Sequence, residues 1–329
     1  MQLTTLGRGG PEVSRVGLGL MGMGGVYGPA DDAESIATIH AAVDAGINLM
    51  DTGDFYGMGR SEMVLREALK TIPRDQVFIQ VKFGGQRDPR GAFIGHDVSP
   101  VAVKNSLAYS LQRLGVDHVD LYQPARLDPM VPIEDTLGAI SEMVEAGYVR
   151  YIGVSELGAD TIRKAAAAAP VKQLQIEYSL LSRGIEERIL PTVRELGISV
   201  TAYGVLSRGL LNRDTARQSG PGDARGRMPR FQAGNLERNL ELLTALEQIA
   251  DGHGVTTAQL AFAWVLSRGD DIIPLIGTKR RDRLAEALGA LDMTLSPGEL
   301  AAIEAAVPAG QVAGDRYDAP QMANLDSER

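Results

Sequence analysis

The chain reads as a (β/α)8 barrel of the α/β class. Three observations predict this. Eight short, mostly apolar segments alternate with helical stretches along nearly the whole length. Right-handed β-α-β crossovers repeated eight times close into a barrel. Polar residues recur where those segments end, at the edge on which barrels build their sites. No G-x-G-x-x-G opens a helix after the first strand, which weighs against the runner-up, an open doubly wound sheet. Gly17-Leu18-Gly19-Leu20-Met21-Gly22 resembles that fingerprint only superficially.

The elements follow in order. Residues 3–17 predict a hairpin turning at Gly7-Arg8-Gly9-Gly10-Pro11. Barrel strands are expected at 16–21, 47–51, 77–83, 118–123, 149–154, 173–177, 198–203 and 272–277. Helices are expected at 32–45, 60–70, 100–115, 133–146, 159–169, 185–196, 235–251, 256–268 and 280–289. Ser99 and Pro100 suit an N-cap and a first helical position. Val103, Leu107, Leu111 and Leu114 keep helical spacing behind them. Ser296-Pro297-Gly298-Glu299 has the spacing of a capping box and opens a last helix. A long loop at about 205–234 interrupts the rhythm, and the tail from about 309 looks irregular. No linker divides the chain, so one barrel domain over 1–329 is expected.

Composition bounds the function classes. The 329 residues are 44% hydrophobic and 23% charged, which is ordinary for a globular chain. A net charge of -9 argues against nucleic acid as a partner. Zero cysteines exclude disulfides and thiolate metal sites. The four histidines, His40, His96, His118 and His253, lack ligand spacing. No signal-peptide pattern opens the chain and no apolar run is long enough to span a membrane. A cytoplasmic location, with no membrane or nucleic-acid partner, is the expectation. Oligomeric state is not readable.

The chemistry concentrates in Asp51-Thr52-Gly53-Asp54-Phe55-Tyr56-Gly57 and in Lys82. Asp51 falls where one predicted strand ends, Tyr56 sits in the loop beyond, and Lys82 ends the next strand. Adjacent parallel strands lie about 4.8 Å apart, so a carboxylate, a phenol and an ammonium meet at one sheet edge. A nearby cation lowers a phenol's pKa, and the Asp holds the Lys charged and aimed. Such a phenol donates a proton to a developing alkoxide. Singly, each residue has an ordinary role: an Asp caps a turn, a loop Tyr packs, a Lys faces solvent. Their joint placement favours the catalytic reading. The strand ends in chain order are Met21, Asp51, Lys82, Gln123, Ser155, Gln175, Tyr203 and Ile276. A barrel hydrolase would need paired carboxylates or a metal, and only Asp51 and Asp54 lie close together.

These residues resemble the aldo-keto reductase family over nearly the whole chain. Asp51-Thr52 with Tyr56-Gly57 and Gly59-Arg60-Ser61-Glu62 is similar to the family's first signature. Arg113-Leu114-Gly115 with Asp117 and Asp120-Leu121-Tyr122 is similar to its second. Ile152-Gly153-Val154-Ser155, Gln175-Ile176-Glu177-Tyr178-Ser179 and Ile276-Gly277-Thr278-Lys279 match further blocks. The tail Gly314-Asp315-Arg316-Tyr317 places the likeness with bacterial NADPH-dependent members. The resemblance implies reduction of aldehydes or ketones by NADPH, with Asp51, Tyr56 and Lys82 as three members of a catalytic tetrad. The fourth, usually His, aligns with Ala125 in Gln123-Pro124-Ala125-Arg126. A methyl group donates no hydrogen bond, so slower or differently specialised turnover is expected. His96 is expected to be a solvent-exposed loop residue.

The same resemblance implies the cofactor contacts. Leu20 and Met21 lie among them. Ser155 and Gln175 would hold the nicotinamide carboxamide, and Tyr203 would stack on its ring. Glu156 stands where many members have Asn, and it accepts but cannot donate. Leu206, Ser207, Arg208 and Gly209 match the segment along the pyrophosphate. That loop also carries Arg213, Arg217, Arg225, Arg227 and Arg230 against Asp214 and Asp223. Some of these arginines are expected to bind or steer phosphate. Gly277 and Thr278 join the cofactor contacts at the eighth strand, Lys279 and Arg283 would meet the adenosine 2′-phosphate and favour NADPH, and Glu286 would sit at the adenine. Ala287 replaces the usual Asn. The alternative is an NADPH-binding regulatory or redox-sensing subunit. Met21, Met23, Tyr27, Phe55 and Phe83 are candidates for an apolar substrate pocket.

Overall fold

A computed structural model describes residues 1–218 and 223–329 of the chain. The part of the 205–234 loop at 219–222 lies outside the described residues. An antiparallel hairpin, β1 (Leu3–Thr5) and β2 (Glu12–Ser14), comes first. Then follow β3 (Gly17–Gly19), β4 (Leu49–Gly53) and β5 (Phe78–Phe83). A second hairpin, β6 (Gly85–Arg87) with β7 (Phe93–His96), rises from the end of β5. The chain returns as β8 (Val119–Pro124), β9 (Val149–Ser155), β10 (Val171–Glu177), β11 (Ser199–Tyr203) and β12 (Ile272–Gly277). The barrel order is β10-β11-β12-β3-β4-β5-β8-β9, closed and parallel throughout. This is the TIM barrel.

Helices cover the outside, among them Asp32–Asp44, Arg60–Leu69, Pro100–Leu114, Ile133–Glu145 and Ala159–Ala168. Their starts obey local chemistry. Ser99 Oγ accepts from Ala102 N, with Pro100 at the first helical position. Gly115, at φ 69°, ends that helix in a conformation that disfavours a side chain. Ser296 and Glu299 form the expected capping box before the extra C-terminal helix Pro297–Ala306.

Apolar packing separates into an outer layer and a plug. The outer layer lies between strands and helices. The plug is Leu6 and Val13 of the first hairpin against Leu49, Phe78, Leu121, Ile273 and Leu275. Each such side chain contributes about 1.5–3 kcal/mol on burial. The hairpin therefore seals the amino end of the barrel. Gly17 has no room for more: a Cβ there would lie 2.5 Å from a Leu49 methyl and 2.6 Å from a Leu275 methyl.

The structure departs from the sequence reading in several places. β4 runs on to Gly53, so Asp51 lies inside the strand rather than at its end. The strand interiors are not uniformly apolar. Gln80, Gln123, Gln173 and Thr201 are fully buried. Gln173 donates to Gln123 at 3.0 Å and accepts from Thr201 at 2.5 Å. This polar layer lies between the plug and the site. The hairpin β6–β7 was not anticipated. The 185–196 helix divides into a short turn, Gly184–Glu186, and Ile189–Leu196. The 205–234 loop holds a short helix, Arg213–Arg217. The tail carries another, Ala319–Ala323, and folds back over the barrel mouth.

Candidate active site

A cavity of about 1290 Å³ opens at the carboxyl ends of the strands. Asp51 and Lys82 reach it from neighbouring strands, because β4 and β5 pair with Asp51 opposite Gln80 and Gly53 opposite Lys82. Lys82 Nζ donates to Asp51 Oδ1 at 2.5 Å. Gln80 and Gln175 also donate to that oxygen, each at 2.8 Å. The ammonium lies 5.1 Å from the centre of the Tyr56 ring. The Tyr56 loop is pinned from the far side: a Cβ on Gly24 would strike the Tyr56 carbonyl at 2.9 Å. Phenol, ammonium and carboxylate thus meet on one wall.

Their electrostatics differ from the sequence expectation. Tyr56 is not acidified. Burial, then the charge of Asp51, push its phenol well above 10, and Arg126 is the cation that opposes them. Burial lowers Lys82, and Asp51 opposes that shift. The phenol is therefore neutral across the physiological range. Next to the trio, burial raises Asp54 to about 7, with Glu62 adding to the effect.

Most predicted cofactor residues line the cavity: Met21, Ser155, Gln175, Tyr203, Leu206, Arg208, Gly209, Gly277, Thr278, Lys279, Arg283 and Glu286. Leu20 and Ser207 do not. Leu20 is wholly buried, with its N–H on the Asp51 carbonyl. Ser207 faces Ser179, their hydroxyls 3.1 Å apart. Ser155 Oγ, buried in the lining, has no hydrogen-bond partner among the described residues.

Most arginines of the 205–234 loop are paired within the protein. Arg208 is spent on Glu177 at 2.8 Å, with both side chains buried. Arg230 pairs with Glu177 too, Arg225 with Asp223, and Arg213 with Glu247. Arg227, which lines the cavity, forms no salt bridge among the described residues. Lys279 donates to the carbonyls of Gly28 and Pro29, and Arg283 to Glu286.

Glu156 points away from the cavity. It accepts from Tyr203 Oη at 2.7 Å, from Glu177 N at 3.0 Å and from Arg316 at 2.8 Å. Burial pushes Glu156 up, yet Arg316 and Arg126 hold it well below the usual carboxylate range. Arg316 also reaches Glu177 and Glu328, so one buried guanidinium ties the tail to two strand ends. Tyr317 follows, its hydroxyl 2.9 Å from that of Tyr203. His96 is not a solvent-exposed residue. It lines the cavity, its ring 4.8 Å from that of Phe93, and burial followed by Arg126 lowers it to about 4.

Sequence reasoning missed Arg126 and Tyr317 as lining residues. Arg126 lies just past the strand end at which the search stopped. Tyr317 was seen only as part of a tail motif. Among the described residues no cluster of ligands could hold a metal, and no helix is long and apolar enough to cross a membrane.

Fold and site define a (β/α)8-barrel protein with a neutral phenol set beside a buried Lys–Asp pair. The Aldo/keto reductase family model matches residues 15–308. A protein named "Probable aldo-keto reductase 1" from Glycine max is 41% identical over 321 residues, covering 96% of this chain and 92% of that one. Aldo-keto reductase yakc [NADP(+)] from Schizosaccharomyces pombe is 38% identical over 326 residues, covering 96% and 95%. Among solved structures, the glycerol dehydrogenase AKR11B4 from Gluconobacter oxydans superposes with a TM-score of 0.83 at 30% identity, covering 92% of this chain and 94% of that one. The thermostable aldo-keto reductase Tm1743, in complex with the inhibitor epalrestat, superposes at 0.76 with 27% identity, covering 93% and 100%. The chain belongs to the aldo/keto reductase family.

Proposed function

We propose that the protein reduces aldehydes or ketones to alcohols with NADPH, an activity of the alcohol dehydrogenase type, with Tyr56 as the general acid. The observation that carries this is the buried Lys82–Asp51 pair beside the Tyr56 ring, inside a cavity open to small molecules. A relative whose name carries NADP(+) supports the cofactor. The residues present fit it. The cavity exceeds the roughly 300–1,000 Å³ of common ligand pockets, which leaves room for cofactor and substrate together. Ser155 Oγ is a partnerless buried hydroxyl suited to a carboxamide. Tyr203 presents a ring held by Glu156 and Tyr317. Lys279, Arg283 and Arg227 would meet the phosphates.

When bound, NADPH supplies the hydride. Tyr56 holds the proton, and its raised pKa keeps it in the acid form that reduction needs. Lys82 places a positive charge 5.1 Å from the centre of the Tyr56 ring, and Asp51 keeps the charge in place. Ala125 brings no donor to the carbonyl oxygen; its N–H goes to Phe83 O at 2.9 Å. The test is NADPH consumption over a panel beginning with para-nitrobenzaldehyde, with Tyr56→Phe as control. Turnover that Tyr56→Phe leaves intact would refute the assignment. Cofactor binding with no turnover on any carbonyl would favour the regulatory reading that Ala125 keeps open.

A further inference from the structure

The cavity lining also carries Arg87, Arg90 and Arg126, together with His96, which feels the charge of Arg126. Among the described residues none of these three arginines forms a salt bridge. Arg87 donates to the carbonyls of Phe55 and Gly91. Arg126 donates to Ala125 O at 2.6 Å and to Tyr317 Oη at 3.3 Å. Most of the other cavity arginines differ, Arg227 excepted. Arg208, Arg225 and Arg283 each hold a carboxylate. The acidic groups near the three are engaged elsewhere: Asp88 Oδ1 accepts from Arg90 N and Ala92 N, Asp128 Oδ1 from Met130 N, and Glu156, which feels the charge of Arg126, is paired with Arg316. Neither Asp lines the cavity.

Arg126 is the member closest to the chemistry. It follows Ala125 at the end of β8, and its charge is felt by Tyr56, Lys82 and His96. Its guanidinium has five N–H donors, and only two acceptors meet them. A half-buried guanidinium beside a reaction centre, with donors left over and no carboxylate in salt-bridge contact among the described residues, is a receptor for an anion. Phe55 and Phe93 add aromatic surface to the same lining.

We infer that the substrate is an anionic carbonyl compound, an aldehyde or ketone carrying a carboxylate, whose charge is held by Arg126 with Arg87 and Arg90 steering its entry. This rests on the reductase reading above and narrows it. The protein as a whole carries -9, so the local positive charge also selects against its surroundings.

The experiment compares para-formylbenzoate with its methyl ester, which match in shape and carbonyl chemistry and differ in charge. Wild type is expected to prefer the acid by about 10- to 100-fold in kcat/KM, chiefly through KM, the size of one charge-assisted pair. Rising salt should shrink the preference. Arg126→Met should bring the ratio close to one, and Arg126→Lys should keep part of it. Terephthalate, which has no aldehyde, should bind wild type in calorimetry and bind Arg126→Met far more weakly. Equal use of acid and ester by wild type overturns the inference. So does an equal fall in kcat for both substrates in Arg126→Met, which would make Arg126 a donor to the reacting carbonyl instead. Absence of turnover on either aldehyde, with terephthalate binding intact, would sink the reductase reading and leave the anion site standing.

Discussion

Replacing Asp51 with Asn probes the centre of the site, because one oxygen of Asp51 gathers three donors. Lys82 Nζ lies 2.5 Å from it, and the amides of Gln80 and Gln175 lie 2.8 Å away. Both side chains of the ion pair are only 5% exposed. At an effective dielectric of about 20, unit charges at 2.5 Å attract by about 7 kcal/mol. Desolvation of the two ions offsets much of that. The single substitution removes the attraction and leaves the ammonium buried. Breaking one side of such a pair costs about 3–5 kcal/mol. Asn keeps one oxygen for those donors but not the charge that holds the ammonium. Asp51→Asn should therefore lose about 3–5 kcal/mol in urea unfolding, seen as a lower midpoint at unchanged slope. Turnover should fall as Lys82, already lowered by burial, sheds its charge more readily. Adding Lys82→Met should restore part of the stability, since no orphaned charge then remains. A single-variant loss under about 1 kcal/mol, or losses additive within about 0.5 kcal/mol, would refute the reasoning.

Tyr56→Phe should lower kcat by about 10²–10⁴, the range of general acid catalysis. Because the folded pKa of Tyr56 lies above 10, alcohol oxidation by the wild type, which needs the phenolate, should keep rising with pH; a plateau below about pH 9 would contradict this. Asp54, raised to about 7, holds a proton in the folded state that the unfolded chain releases near 3.8. Its contribution makes stability fall as pH rises through that window and level off above it. Asp54→Asn should flatten this slope and stabilise the protein at about pH 8 by about 3 kcal/mol, read from unfolding midpoints at several pH values. Neutralising Lys279 and Arg283 together should collapse a preference for NADPH over NADH, measured as the ratio of the two kcat/KM values. Equal use of both cofactors by the wild type would contradict the assignment of those cations.

The alternation of apolar strands with helices was legible because each barrel strand is buried on its outer face by a helix and pairs on both edges. Periodicity and caps such as Ser99 and Ser296 are local, so they survive without tertiary information. Asp51, Tyr56 and Lys82 were legible too, since parallel pairing of consecutive strands brings their ends together wherever the chain closes. The β6–β7 hairpin was not, because Gly85–Arg87 and Phe93–His96 are too short and polar for a strand pattern. Arginine in the 205–234 loop carried no label of its own: whether Arg208 meets a phosphate or Glu177 depends on a carboxylate contributed by β10.

The amino-acid sequence by itself determined the barrel and the meeting of Asp51, Tyr56 and Lys82 on neighbouring strands, for these follow from residue type and spacing along the chain, and its resemblance to the family marked Ala125 as the missing donor. Tertiary structure alone decided the charge states and the free cations. Burial raised Tyr56 where a neighbouring Lys suggested the opposite. Contacts made across the whole fold neutralised Arg208 and Arg316 while leaving Arg126 uncommitted. Desolvation and ion pairing depend on what surrounds a group in space, and neither is written in its neighbours along the chain.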